Sequence, residues 1–285
     1  MRTPAQQAEL ALLLEVAGTP KPGNVDRHRD LEELRFEHFL AGAVGARTGL
    51  DLAADGEPIG TAFERAVEGM AAQGGDNTQF GALLLLTPLV RAVRDNLTRA
   101  TVSSVCENTT VADAAGFYRA FDHVDVFVDE PPADMEPLDV RRGSEAIPAL
   151  EERELTLYDV MERSVPGDDV AREWVSGFER SFWAADRLAD TEETESLSKR
   201  TGDVFLELLA ERSDTLVANR RGEDVAADVS ERAAQLLADD GLESEPDAVE
   251  AFADDLVSRG INPGTTADVT AAGLFIALER EVISV

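Results

Sequence analysis

Ala82 to Val93 reads Ala-Leu-Leu-Leu-Leu-Thr-Pro-Leu-Val-Arg-Ala-Val, a run with no polar face to turn towards water. A bilayer span needs about 20 apolar residues, so the run is too short to cross one. It is instead the signature of a helix buried on all sides, and such a helix must be surrounded by others that each offer it one apolar stripe. The chain supplies them. Thr3 caps a helix that starts at Pro4 and carries Leu10 to Val16. A second is expected over Glu32–Arg47 with Leu34, Phe36, Phe39, Leu40 and Val44, followed by a loop from Gly49 to Gly56. A third starts at Pro58 and carries Ile59, Phe63, Ala66, Val67 and Met70.

Beyond the apolar run, helices are expected at Arg99–Cys106, from Thr110 to Phe121, from Thr156 through Met161, and as one long element from about Asp169 past Trp174, Phe178 and Phe182 to Leu188. More follow at Glu192–Arg212, Asp214–Arg220, Asp224–Asp239 and Asp247–Arg259, and a last one ends near Val282. His123 to Asp129 alternates like a strand, but a lone strand has no partner, so an extended linker is expected. Pro131 to Pro148 reads as irregular. No repeat of 20–50 residues recurs. The expectation is an all-α fold in a single domain spanning 1–285.

Charge narrows the function. There are 57 acidic residues against 26 basic ones, a formal net charge of -31, and lysine survives only at Lys21 and Lys199. Acid excess with lysine depletion is the surface expected of a halophilic, cytoplasmic protein, since at about 1 M salt the Debye length falls to about 3 Å. Nucleic acid and anionic membrane are excluded as partners because both need a basic face. The single Cys106 forms no internal disulfide, and His28, His38 and His123 lack zinc-ligand spacing.

Four polar turns stand at the N-terminal edges of apolar helices. They are Thr19–Asp30, Gly74–Gly81, Ser213–Thr215 with Asn219–Gly222, and Asn262–Asp268. A helix N-terminus offers unpaired N–H groups and partial positive charge, so several together can hold a polyphosphate without much basic charge. Asp76, Asp214 and Asp268 would carry Mg²⁺ or take a proton. Each turn also has a plain structural reading. Thr265 and Asp268 have capping-box spacing, Asp214 or Ser213 can cap a helix, and Asn77-Thr78 can do the same. Lys21 between two prolines stands apart, because a surface lysine there would have been as replaceable as the rest.

In order, Lys21-Pro22-Gly23-Asn24-Val25-Asp26-Arg27, Gly74-Gly75 with Asn77-Thr78 and Gly81, Asp214-Thr215 with Arg220 and Gly222, and Asn262-Pro263-Gly264 with Ala267-Asp268 resemble the triphosphoribosyl-dephospho-CoA synthase family. The resemblance implies an all-helical transferase that uses ATP and dephospho-CoA with Mg²⁺, the acceptor's ribose 2′-hydroxyl displacing adenine from C1′ of ATP. It implies phosphate contacts from Lys21, Arg27 and Gly74, Gly75 and Thr78, further substrate contacts from Thr215, Arg220 and Asn262, and ribose or base contacts from Asn24, Asp26 and Asn77. Asp214 and Asp268 take metal or base roles, with Asp76 as a further metal ligand. The family pattern Asn-Thr-His-Lys-Gly is departed from, since Asn77-Thr78 is followed by Gln79-Phe80-Gly81. A different nucleotide enzyme, such as a phosphotransferase or N-glycohydrolase, and an inert helical interaction protein are the alternatives. The charge balance makes one prediction: the unfolding temperature should rise by several degrees between about 0.1 and 2 M KCl as self-repulsion is screened, and a flat or falling profile in thermal melts would count against a salt-adapted surface.

Overall fold

The computed structural model describes residues 2–129, 131, 133–165, 167–190, 195–238 and 246–285. Among them the fold is all-α, fifteen α-helices joined by turns and short 3-10 segments, with one isolated bridge pair at Asp26 and Arg29 and no sheet. At its centre lie α4 (Phe80–Ala92) and the last helix, α15 (Gly264–Glu279), both buried nearly all round. Around them pack α1 (Pro4–Ala17), α2 (Phe36–Asp55), α3 (Ile59–Met70) and α6 (Val111–Ala120). Pro88 sits inside α4, where it cannot donate to the carbonyl of Leu84. The freed carbonyl is not wasted, since the buried Trp174 indole N–H donates to it at 3.2 Å.

Capping placed several starts where the sequence put them. Thr3, Thr110 and Thr156 cap their helices, each through a capping box, opening α1, α6 and α8 (Leu157–Ser164). The second helix starts later and ends later than expected. Gly49 lies inside it, not in a loop, because a Cβ there would come within 2.2 Å of the Ala66 backbone of α3. The residue is glycine to let two helices touch, and the true stop is Gly56, at φ 94°.

The expected long helix from Asp169 is two, α9 (Asp169–Ser176) and α10 (Glu179–Asp190). Gly177 and Phe178 both take positive φ between them. The break is stabilised by the buried Glu173 carboxylate, which accepts from the backbone N–H groups of Arg180 and Ser181 and from the Ser181 hydroxyl. A cap supplied from the preceding helix leaves no mark in local periodicity. Between α6 and α7 (Ile147–Glu152), residues 124–129 form neither helix nor strand, and the segment from 133 to 146 holds two 3-10 pieces where only irregular chain was expected.

A second apolar core joins α11 (Leu197–Glu211), α12 (Thr215–Arg221), α13 (Glu223–Ala238) and α14 (Pro246–Ser258) through Phe205, Leu209, Val229 and Phe252. The expected start at Glu192 and end at Asp239 lie outside the described residues. The loop after α1 joins this region to the last turn. Gly23, at φ 76°, leaves no room for a side chain, since a Cβ would meet the Ile261 carbonyl at 2.3 Å. Gly23→Ala therefore combines a positive-φ penalty with a backbone clash and should cost about 1–3 kcal/mol, read as a lower midpoint in denaturant unfolding.

Candidate functional site

A cavity of about 1020 Å³ opens where the N-termini of four helices meet: α4 at Phe80–Ala82, α9 at Asp168, α12 at Thr215 and α15 at Gly264 and Thr265. Short bonds hold these ends together. The Asp214 carboxylate caps its own helix by accepting from Val217 N–H at 3.1 Å, and it accepts from both the N–H and the hydroxyl of Thr266 at 2.7 and 2.8 Å. The Thr215 hydroxyl lies 3.2 Å from that of Thr265 and accepts from Asp169 N–H at 3.2 Å. α9, α12 and α15 are thereby fixed to one another.

Asp268 reaches α4. It lies past the first turn of α15 and forms no capping box with Thr265, because the N-cap of α15 is Pro263, which offers no side-chain cap. Its carboxylate instead accepts from Ala82 N–H in the first turn of α4. Gly81 beneath it has no room for a side chain, as a Cβ would come within 2.1 Å of an Asp268 oxygen. Burial holds the Asp268 carboxyl well above the usual carboxylate range, and the charges of Glu15, Asp214 and Asp168 push it the same way against the Ala82 bond. Glu15 and Asp168 also line the cavity. Burial raises Glu15 against the pull of Lys21, and it raises Asp168 to about 6 against the N–H groups of Val170 and Ala171. The floor is thus a set of desolvated carboxylates under converging positive helix ends.

One wall is apolar. Phe80, Phe117 and Phe121 pack together, Phe80 tilted against Phe121 at 4.8 Å and Phe117 edge to face with Phe121 at 5.2 Å between centroids. Leu138, Val160 and Met161 complete that lobe. Beside it Tyr118 donates to the Leu138 carbonyl, and burial pushes its hydroxyl up to about 12, so it is a fixed donor. Phe127 of the segment after α6 lies 4.7 Å under the Arg220 guanidinium at the rim.

The cavity gathers Asn24, Asp76, Asn77, Thr78, Thr215, Arg220, Asn262 and Asp268 from the residues the sequence singled out. Asn24 donates to the Asn262 side chain at 2.8 Å, and Asn77 accepts from Phe80 N–H at 3.1 Å, the capping role open to it from the start. Six others stand elsewhere. Lys21 is fully buried, paired with Glu15 and bonded to Asn24 at 2.9 Å, so its charge neutralises a cavity carboxylate from behind instead of facing a phosphate. Asp26 is buried too, and it holds its own loop by accepting from Thr19, Lys21 N–H, His28 N–H and Arg29. Arg27 is exposed and lies outside the cavity lining, as do Gly74 and Gly75. Asp214 lies outside the lining with its oxygens engaged by Val217 and Thr266, where it clamps two helix starts.

Glu15, Asp168, Arg163 and the aromatic wall escaped the sequence reading. Asp168 carried a usable signal, an acid just before an apolar helix, which is the same mark that drew attention to Asp214. Glu15 sits within a helical run, where nothing local distinguishes it from any other polar position.

Comparison with known proteins identifies the family and the fold. The family model CitG, ATP:dephospho-CoA triphosphoribosyl transferase, matches residues 1–284. The crystal structure of a candidate triphosphoribosyl-dephospho-CoA synthase from Archaeoglobus fulgidus is similar, at 27% identity and a TM-score of 0.68, covering 86% of this chain and 98% of that one. Among curated sequences no match is found.

Asp168 yields a prediction with a definite sign. Its carboxyl has a higher proton affinity folded than unfolded, so its contribution is fully present below about pH 3.8 and is lost as pH rises through about 6. Asp168→Asn keeps an acceptor for Val170 N–H, 2.8 Å away, without the charge. It should stabilise the fold by about 1 kcal/mol at pH 8, discounted for water at the cavity mouth. Thermal melts in chelator-treated buffer should show the gain shrinking below pH 6 and vanishing near pH 4.

Proposed function

The chain belongs to the ATP:dephospho-CoA triphosphoribosyl transferase family and is a transferase, and from that premise we propose that the cavity sets C1′ of ATP against the ribose 2′-hydroxyl of dephospho-CoA. The bond from C1′ to the adenine nitrogen breaks and a bond from C1′ to the acceptor oxygen forms. The hydroxyl proton leaves to a carboxylate, adenine takes up a proton, and the triphosphate stays on the transferred ribose. The observation that supports this reading most is Asp268, a carboxyl that burial holds well above the usual carboxylate range, set against Ala82 N–H and packed on Gly81 at the cavity floor. We assign the proton transfer to its oxygens.

Positive charge building on the sugar ring in the transition state is stabilised by the same acidic floor. N–H groups at the starts of α4 and α15, with Arg220, address the triphosphate. Asn24, Asn77, Thr78, Thr215 and Asn262 are left for hydroxyls and base, and Lys21 keeps Glu15 from adding a full negative charge beside them.

Mg²⁺ fits the donor chemistry without a ready-made cage. Among the described residues no three Asp, Glu, His or Cys side chains converge on one point. Magnesium, however, is usually held by one or two carboxylates together with substrate phosphates and water. Asp168, with exposed Asp76 at the opposite turn, provides oxygen donors in the cavity. The ion would supply neutralising charge to the triphosphate. Among the described residues no helix is long and apolar enough to cross a membrane, and the acid-rich surface supports work in a salty cytoplasm.

Adenine release in high salt with ATP, Mg²⁺ and dephospho-CoA tests the proposal. Turnover should require the acceptor, and Asp268→Asn should lower kcat by about 100-fold or more while the circular dichroism spectrum is retained. ADP in place of adenine would indicate phosphotransfer, adenine without acceptor a glycohydrolase, and either result would overturn the reading.

A further inference from the structure

Building on the transferase reading, we propose that Arg163 holds the diphosphate of the acceptor nucleotide, at the border between the cavity's polar floor and its apolar lobe. Arg163 and Arg220 are the cationic side chains that line the cavity. In a chain with 57 acids and 26 basic residues, most arginines are claimed by carboxylates, yet neither of these two has an ion pair or hydrogen bond among the described residues. Both are exposed at the mouth, Arg220 resting on the Phe127 ring and Arg163 one turn beyond Asp159, whose carboxylate feels its charge.

The two are held on the same side of the opening. Arg163 is in the last turn of α8 and Arg220 in the last turn of α12. Asn219, next to Arg220, donates its amide to the Gly167 carbonyl at 3.2 Å, which ties that end of α12 to the chain just beyond Arg163. A last-turn arginine also opposes the helix dipole, but that role needs no place in a cavity wall.

What assigns Arg163 to the acceptor is its helix. Val160 and Met161, one turn and half a turn before it, face the apolar lobe alongside Phe117 and Phe121. A ligand with phosphates at Arg163 must therefore continue along uncharged surface. That matches a nucleotide whose diphosphate carries a long uncharged arm. The triphosphate of ATP ends in charge and has nothing to place in such a lobe, and the helix N-termini at the cavity floor suit it better.

The test is the Michaelis constant for each substrate, measured by adenine release at fixed salt with the other saturating. Arg163→Ala should raise KM for dephospho-CoA about tenfold or more, and leave KM for ATP and kcat within about twofold. Arg163→Lys should restore part of the loss, because it keeps the charge without the planar fork. Arg142→Ala, which removes an exposed cation outside the cavity, should change neither constant. A shift in KM for ATP instead, an equal shift in both, or none would overturn the assignment. If the wild type releases no adenine, the transferase reading fails on its own, and calorimetric binding of dephospho-CoA still judges the arginine: a tenfold weaker Kd in Arg163→Ala supports it, and an unchanged Kd overturns it.

Discussion

Four helices point their positive ends into one cavity, and an arrangement of that kind repels itself unless negative charge is placed among them. The carboxylates of Asp168, Asp214 and Asp268 do this, each accepting backbone N–H groups at a helix start. The need is mutual. Removed from bulk water, the same carboxylates would be strongly disfavoured without those N–H donors. Site and scaffold are therefore stabilised by one set of interactions, and Asp214 shows how far that goes, because its bonds to Val217 and Thr266 lock two helix starts before any ligand arrives.

Helix type and most helix positions were legible because they rest on local physics: threonine caps, an apolar stripe, and one run with no polar face. The site was legible to the extent that polar residues at helix starts are a local mark. Asn24, Asn262, Thr215 and Asp268 do meet, although as many as 244 positions separate them in sequence. Depth was not legible. The rarity of lysine singled out Lys21, yet a buried ion pair and a phosphate contact impose the same restraint on a sequence. Only the position of Glu15, one helix away, separates the two. The same blindness to partners hid the break at Gly177, where the deciding group is the carboxylate of Glu173.

The acid excess and the site's chemistry fit together through the distribution of cations. Arg29, Arg47, Arg172, Arg180 and Arg232 each face a carboxylate within hydrogen-bonding distance. The exposed pairs among them, such as Arg232 with Asp255, add little stability each, and less in salt, whereas Asp26 and Arg180 are buried. Buried Lys21 is a different case, since removing it would leave Glu15 charged and unpaired in a desolvated position, the costly half of a broken pair.

The chain has two tryptophans, and Pro88 makes them unlike. By freeing the Leu84 carbonyl it gives the Trp174 indole a fixed acceptor inside the central helix, while Trp183 on α10 stands 38% exposed. One chromophore is therefore dry, immobile and attached to the helix whose first turn meets Asp268. The other faces solvent. Their emission separates by wavelength, so the protein carries an optical gauge of its own centre that needs no label, and quenching by a soluble agent would silence the outer signal and leave the inner one to follow the core.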